Sequence, residues 1–198
     1  MQEDTTQAIA SAAAQWVVES GMEYAQAKLK AARDLGRRSS ARAQLPSDEA
    51  VEQAVREYLS LFCADTQPAE LAVLRGIASI WMQRLSAYRP YLSGSVWRGT
   101  ATRHSAIFID LYVDDAKALH IELLNQGLRF EVQGQGTAQP EELEVFTLYS
   151  PWPDASQQVP VHLLVHPYDR LRGALQPDAA GRTWRGDLRA VLALEHVP

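Results

Sequence analysis

The residues with the clearest chemical potential lie in one stretch, YLSGSVWRGTATRHSAIFIDLYVDD, which runs from Tyr91 to Asp115. A Gly-Ser corner stands near its start, at Gly94 and Ser95, and bare backbone N–H groups at such a corner can converge on a phosphate. Its second apolar run contains Asp110, a carboxylate that is costly there unless it faces solvent, a donor or a metal. The stretch raises the hypothesis of a nucleotide site with a metal-binding aspartate. Arg98 and Arg103 are candidate phosphate contacts, although both are also typical of ordinary loop charges.

Composition limits the setting of this chemistry. The chain has 198 residues, is 46% hydrophobic and carries a formal net charge of −5. That length favours one domain with an appendage, and the negative charge argues against broad nucleic-acid binding but not against binding of a free nucleotide. The single cysteine, Cys63, excludes an internal disulfide framework, and no apolar run approaches the roughly 18 residues of a membrane span. We expect a soluble cytoplasmic protein with Cys63 buried in a helix.

The element pattern predicts an α+β protein. Residues before Tyr88 have helical spacing, whereas residues after Pro90 alternate between strands, loops and a few helices. The second helix should begin at Ser47, a natural N-cap, and the third should run from about Pro68 to Tyr88. Their apolar faces are predicted from residues at helical spacing: Val51, Val55, Tyr58, Leu59 and Phe62 in the second helix, and Leu71, Leu74, Ile77, Ile80, Trp81 and Leu85 in the third.

The N-terminal segment predicts one long helix from Thr5 to about Leu35, in which Gly21 is a weak interior breaker. Its apolar residues need a covering surface, either helices of the same chain or a second subunit, and we favour a homodimer. A basic linker follows the helix, with charges at Arg37, Arg38 and Arg42. The expected division is therefore residues 1–45, the helix and linker, and residues 46–198, the remaining helices and the sheet domain. Apolar residues of the first helix are Ile9, Trp16, Val17, Tyr24 and Leu29.

Strands are predicted at 106–113, 143–149 and 161–166, and the last two should be antiparallel neighbours in one sheet. Asp114 and Asp115 are typical of the N-cap and first turn of a helix that ends near Asn125. A turn and a strand follow in NQGLRFEV, and a helix closes the chain. Because side chains alternate along a strand, a shared sheet should place Asp110 and His162 on the same face.

This order of strand, Gly-Ser corner, polar loop containing Ser105, and strand with a central aspartate resembles the minimal nucleotidyltransferases of the DNA polymerase β superfamily. In that family the motif reads hydrophobic-Gly-Ser, then Asp-x-Asp after about a dozen residues, with a third carboxylate on a later strand. The resemblance covers about residues 68–166. It implies a nucleotidyltransferase-like mixed sheet flanked by helices, a nucleoside triphosphate as ligand, and Mg²⁺ or Mn²⁺ held by Asp110 and by His162 in the third carboxylate's place.

The stretches LFCADTQPAEL, VWRGTATRHS and LRGALQPDAAGR are also similar to a proteobacterial group commonly labelled UDP-N-acetylmuramate–alanine ligase. A ligase of the Mur type has several domains and a glycine-rich loop that ends in Gly-Lys-Thr or Gly-Lys-Ser. This chain has no Gly-Lys pair, and its 198 residues leave no room for three domains. We therefore do not expect ligase activity of that kind.

Two departures from the nucleotidyltransferase motif decide what the site could do. Phe108 occupies the place of the first aspartate, and His162 offers an imidazole where magnesium prefers oxygen. Three functions remain open: a catalytically degenerate module that binds a nucleotide or a partner, an active enzyme in which Glu142 or Glu144 supplies a missing oxygen, and an interaction protein that works through its first helix.

Overall fold

The computed structural model describes residues 2–36, 45–133, 144–178 and 181–195. It confirms the α+β class, since a five-stranded mixed sheet is combined with helices. The chain divides into two compact units, one of residues 1–71 with 100–105, and one of residues 72–99 with 106–198. The basic linker residues Arg37, Arg38 and Arg42 and the candidate ligand Glu142 lie outside the described residues.

The first unit is helical. It contains α1 (Gln2–Ser20), α2 (Tyr24–Asp34), α3 (Asp48–Phe62) and the start of α4 (Gln67–Arg84). Ser47 caps α3 as predicted, because its hydroxyl oxygen accepts a hydrogen bond from the backbone N–H of Ala50 at 3.2 Å. A side-chain bond also joins the 100–105 loop to α1, where the Thr102 hydroxyl donates to the Val18 carbonyl at 3.0 Å.

The expectation of one long N-terminal helix is wrong. The helix ends at Ser20, Gly21 adopts a left-handed φ of 65°, and α2 begins at Tyr24. The Gly21 N–H bonds back to the Val17 carbonyl at 3.0 Å, as in the αL motif at a glycine that ends a helix, and the Met22 N–H bonds to the Trp16 carbonyl at 3.4 Å. A Cβ atom at Gly21 would lie 2.1 Å from the His104 carbonyl oxygen, so the close approach of that loop fixes the break.

The core of the first unit covers the apolar residues of α1 within the chain. Buried residues of α1, α2 and α3 form one cluster, against which Trp16 and Tyr24 pack. The Trp16 indole N–H donates to the Asp34 carboxylate at 3.1 Å, and the Lys30 ammonium lies 4.1 Å from the Trp16 ring centroid. These residues therefore need no second subunit to remove them from water. Cys63 is half-buried at the C-cap of α3, not buried inside a helix as expected.

The second unit is built on the sheet, whose strand order is β1-β2-β5-β4-β3. The strands are β1 (Tyr91–Ser93), β2 (Ile107–Val113), β3 (Glu131–Gln133), β4 (Glu144–Pro151) and β5 (Gln158–Pro167). The pair β4–β5 is antiparallel, as predicted, and β2–β5 is parallel. The helices of this unit are most of α4, α5 (Gly94–Arg98), α6 (Ala116–Asn125), α7 (Leu171–Ala174) and α8 (Leu188–Glu195).

One face of the sheet forms the core of the second unit. The buried residues of this face are Leu92, Ile107, Ile109, Leu111, Phe146, Leu148, Val161 and Leu163. Helix α4 reaches this face through the Trp81 indole N–H, which donates to the Ser150 hydroxyl at 2.6 Å, and α6 reaches it through His120, edge-on to Phe146. Asp115 caps α6 as predicted by accepting from the Lys117 N–H at 2.9 Å. The opposite face carries the polar residues.

Three residues that were predicted to lie on apolar helix faces are exposed, which corrects the sequence-based expectation. Ile80 lies outside the buried stripe of α4 that contains Leu74, Ala78 and Trp81, and Phe62 is exposed in the last turn of α3. Leu29 in α2 is also exposed. Helical spacing alone admits neighbouring positions on either side of the stripe, and only the packing partners decide between them.

Candidate functional site

The polar face of the sheet brings together the candidate residues of β2 and β5. In the parallel register Phe108 pairs with His162, Asp110 with Leu164 and Tyr112 with His166. Paired residues of adjacent strands point to the same side, so Asp110 and His162 share a face as expected. The Phe108 and His162 rings lie 5.0 Å apart, and Tyr112 stacks on His166 with centroids 5.1 Å apart.

Asp110 is held by side chains of its own chain. It is 1% exposed. Its Oδ1 atom lies 2.5 Å from His166 Nε2, and its Oδ2 atom accepts from Arg185 Nε at 3.0 Å. The Ser93 hydroxyl donates to the same carboxylate. Both oxygens of the buried aspartate are therefore engaged, and the Arg185 guanidinium compensates its charge.

The pKa of Asp110 lies below its usual range. Burial raises this pKa, but the hydrogen bonds from His166 and Ser93 and the charge of Arg185 outweigh burial. The carboxylate is therefore ionised at neutral pH. His162, on the same face of the sheet, behaves differently because burial lowers its pKa. Its Nδ1 atom shares a hydrogen bond of 2.9 Å with the Thr147 hydroxyl.

Arg185 is positioned by a short segment that follows the sheet. Gly186 forms an isolated bridge with Leu92 of β1, with N–H to carbonyl distances of 2.8 and 3.0 Å. The Trp97 ring covers Gly186 so closely that an added Cβ would lie 2.1 Å from it, and the Trp97 indole donates to the Thr183 carbonyl at 2.9 Å. The segment is thus anchored on both sides of Arg185.

The predicted phosphate corner forms the start of α5. Gly94 has a left-handed φ of 68°, and a Cβ there would meet Phe108 Cδ2 at 3.1 Å. Gly94, Ser95 and Arg98 are half-buried, and the Arg98 guanidinium lies 5.6 Å from the Trp184 ring centroid. The corner and Asp110 are therefore on the same unit, linked through Phe108.

Arg103 and Ser105 belong to the first unit, where Glu70 and Thr102 contact them. The Arg103 backbone N–H donates to the Glu70 carboxylate at 2.9 Å, and the Ser105 hydroxyl accepts from the Thr102 N–H at 3.0 Å. Ser105 thus stabilises the turn of its own loop. These contacts are structural, and both residues remain only sequence-based candidates for phosphate binding.

The residues on the polar face do not fit the magnesium or manganese site that the resemblance implies. Phe108 offers no oxygen, both oxygens of Asp110 are engaged, and His162 Nδ1 is bonded to Thr147. Glu144 pairs with Val165, which points to the face opposite His166, so it faces away from Asp110. Among the described residues, there is no group of three or more His, Cys, Asp or Glu side chains that could hold a metal ion.

Sequence reasoning missed the partners of Asp110. Arg185 lies 75 positions further along the chain and belongs to no recognisable motif. His166 lies two positions along the same face after His162 and Leu164, and this period-two spacing is the only sequence signal that it shares the Asp110 face.

Comparisons with known proteins give weak likenesses. No protein-family model matches the chain, and no curated protein matches it. Among solved structures, Cid1 in complex with the UTP analogue UMPNPP is 14% identical with a TM-score of 0.38, and it covers 63% of this chain and 39% of that one. The Cid1 poly(U) polymerase bound to MgGTP is 14% identical with a TM-score of 0.37, and it covers 61% and 39%.

A cytoplasmic RNA terminal U-transferase is 16% identical with a TM-score of 0.36, and it covers 61% of this chain and 37% of that one. The chain thus spans about two fifths of the length of these solved structures. Likeness at this level supports no inference about activity. In the part of the chain that the structure describes, the helices lack the combination of length and apolar character that a membrane span needs.

Proposed function

We propose that this chain is a catalytically degenerate relative of the minimal nucleotidyltransferases, which binds a nucleotide without transferring it. The sequence resemblance from Gly94 to Asp110 supplies the class of ligand. One structural observation carries the proposal of inactivity: Asp110 is 1% exposed and has both carboxylate oxygens engaged by His166 and Arg185.

The chemistry of transfer explains why this arrangement opposes catalysis. Nucleotidyl transfer uses two metal ions, roughly 3.5 to 4 Å apart, held by several carboxylates. Here a fixed guanidinium provides the positive charge that balances Asp110, and an aromatic ring occupies the neighbouring ligand position. Binding a divalent cation at Asp110 would require displacing Arg185, which would then lose its bond to the buried carboxylate.

The other two functions have less support. An active enzyme would need a second oxygen ligand, and Glu144 faces the wrong side of the sheet. An interaction protein working through its first helix would need the apolar residues of α1 on the surface, and Ile9 and Val17 are buried within the first unit. Homodimer formation stays a proposal, and the buried apolar residues of α1 that suggested it are covered within the first unit.

The proposed nucleotide contact is the half-buried corner at Gly94 and Ser95, where the ligand's phosphates would meet backbone N–H groups and the Ser95 hydroxyl. Arg98, in the same short helix, adds a positive charge near this corner. Because the described residues around Asp110 do not fit a metal site, we expect binding that does not depend on a divalent cation held by the protein.

The test combines a thermal-shift assay and a transfer assay on the full chain. We expect a nucleoside triphosphate to raise the melting temperature equally with Mg²⁺, with Mn²⁺ and with EDTA, because a ligand that binds only the folded state stabilises it. We expect no incorporation of labelled nucleotide into an RNA or protein acceptor. Incorporation that Asp110→Asn abolishes would overturn the proposal of inactivity.

A pair of serine variants tests the proposed contact. Ser95→Ala should reduce the nucleotide-induced shift, whereas Ser60→Ala, which removes an exposed hydroxyl bonded to the Glu57 carbonyl in α3, should leave it unchanged. If no nucleotide changes the melting temperature under any of the three conditions, the chain is not a nucleotide-binding module.

A further inference from the structure

The second unit contains a cavity of about 300 Å³ that lies apart from the Gly94–Ser95 corner. Its wall is formed by Met82 and Ser86 near the end of α4, by the residues that lead into β1, and by the start of α8. This volume is at the lower end of the range for small-molecule sites in proteins, so the cavity suits a compact ligand.

Three charged residues line the cavity, namely Arg89, Arg189 and the carboxylate Asp187. A second carboxylate, Asp114, lies 3.7 Å from the Arg89 guanidinium outside the lining. The Asp187 carboxylate already accepts a bond from the Ala190 N–H at 2.8 Å, which caps α8. Within the described residues, Arg189 has no hydrogen bond or ion pair. The lining therefore offers an anion the uncommitted guanidinium of Arg189, with the guanidinium of Arg89 as a second cationic group that Asp114 compensates in part.

Arg89 has an unusual backbone conformation for a residue with a side chain. Its φ of 49° and ψ of 63° lie in the left-handed region that non-glycine residues seldom adopt. Its guanidinium lies 4.1 Å from the Tyr168 ring centroid, and its Nη1 atom is 3.3 Å from the Tyr112 carbonyl oxygen and 3.7 Å from Asp114 Oδ2. Strained residues of this kind concentrate at functional sites, and these contacts fix the guanidinium in place.

The rest of the lining is apolar except for the hydroxyl groups of Ser86 and Tyr91. Met82 and Pro90 are buried, and Leu188 and Tyr91 are half-buried. Burial, together with the charge of Asp187, raises the pKa of Tyr91, so its phenol stays protonated and can donate a hydrogen bond. A ligand here meets apolar surface on one side and cationic donors on the other.

We infer that this cavity binds a small organic oxyanion, a carboxylate or phosphate attached to a compact apolar body, with its anionic group between Arg89 and Arg189. The inference goes beyond the proposed nucleotide function, because the cavity shares no lining residue with the Gly94–Ser95 corner. Guanidinium groups bind carboxylates and phosphates alike through paired N–H donors, so the inference names an oxyanion and leaves the choice between the two to the experiment.

Isothermal titration of the full chain with three probes tests the inference. The probes are phenyl phosphate, benzoate and the neutral benzamide, which share the aromatic ring and differ in the attached group. We expect at least one of the two anions to bind and benzamide not to bind, and the stronger anion identifies the favoured group. If neither anion binds at about 10 mM, or if benzamide binds equally well, the inference is wrong.

Two cavity variants and one control locate the site. Arg189→Gln should weaken anion binding about tenfold or more, as expected for loss of a charge-assisted hydrogen bond. Arg89→Gly should weaken it similarly while the fold is kept, because glycine readily adopts the left-handed conformation at this position. Arg129→Gln, which removes an exposed arginine after α6, should have no effect. Binding that survives both cavity variants would overturn the assignment.

Discussion

At the scale of single residues, the chemistry of the polar face depends on which group balances the negative charge of the buried Asp110 carboxylate. Asp110 could have been balanced by a metal ion, by solvent or by the protein itself. The structure shows the third case, in which Arg185 and His166 engage one carboxylate oxygen each. Breaking a buried ion pair of this kind is costly, because removal of one partner leaves the charge of the other uncompensated.

Replacement of Asp110 by asparagine should therefore destabilise the protein. The partners of Asp110 are only partly buried, at 26% exposure for the Arg185 side chain and 19% for that of His166, so we expect a loss of about 3 kcal/mol at pH 7, the lower end for a broken buried pair. Urea unfolding measures this loss. Asp169→Asn, at an exposed aspartate, should change stability by less than about 0.5 kcal/mol.

The stability lost in the Asp110→Asn variant should depend on pH, and the direction of this dependence follows from the pKa of Asp110. The pKa of Asp110 is lowered in the folded state, so the unfolded chain binds more protons as pH falls. The stabilisation is complete above the unfolded pKa of about 4 and is lost as pH falls through the lowered folded-state pKa. The stability difference between the wild type and Asp110→Asn should then shrink below pH about 4. A difference that grows on acidification would contradict the ion pair.

At the scale of elements, glycines determine where the N-terminal helices end. Gly21 stops α1 through its left-handed conformation and through the close approach of the His104 carbonyl. Gly76, in contrast, lies inside α4 with open space where a Cβ would be. The two glycines therefore form a matched pair, one required by the structure and one merely tolerated.

Alanine substitution should separate the two cases. Gly21→Ala should destabilise the protein by about 1 to 3 kcal/mol, because alanine is strained at that φ and its Cβ would meet backbone. Gly76→Ala should stabilise it by about 0.5 to 1 kcal/mol, because alanine loses less chain entropy inside a helix. Both changes are measured as shifts in the urea midpoint. Equal effects of the two substitutions would show that the break at Gly21 is not needed.

At the scale of the whole molecule, the first unit depends on its N-terminal helices. Buried residues of α3, such as Val51, Val55 and Leu59, share a core cluster with Ile9 and Val17 of α1. Removal of residues 1–43 would expose this side of α3 to water. The expectation of a homodimer rested on a first helix whose apolar residues lack a partner in their own chain, whereas these residues pack against α2 and α3.

We now expect the 1–43 deletion to unfold what remains of the first unit. Exposure of several fully buried aliphatic side chains costs about 1.5 to 3 kcal/mol for each one, which a marginally stable unit cannot absorb. Limited proteolysis should cleave the truncated chain within 48–62, the residues of α3, whereas the full chain resists cleavage there. A truncated chain that is monomeric in light scattering and resists proteolysis at α3 would contradict this expectation.

The local elements follow from the sequence because their signals are local. Ser47 and Asp115 begin helices through hydrogen bonds to residues two or three positions away. The alternation along β2 and β5 places Asp110 and His162 on one face, because the side-chain period of a strand depends on backbone geometry alone. The absence of carboxylates at Phe108 and His162 also follows directly from residue identity.

Tertiary structure decided what surrounds those residues. The burial of Asp110, its pairing with an arginine 75 positions away, and the exposure of Ile80 and Phe62 depend on which segments meet in space. The break at Gly21 has the same origin, since a glycine within a helical pattern becomes a stop only when a carbonyl from residue 104 fills the space of its Cβ. Long-range contacts of this kind leave no periodic trace in the sequence, because they depend on packing between distant segments and not on neighbours along the chain.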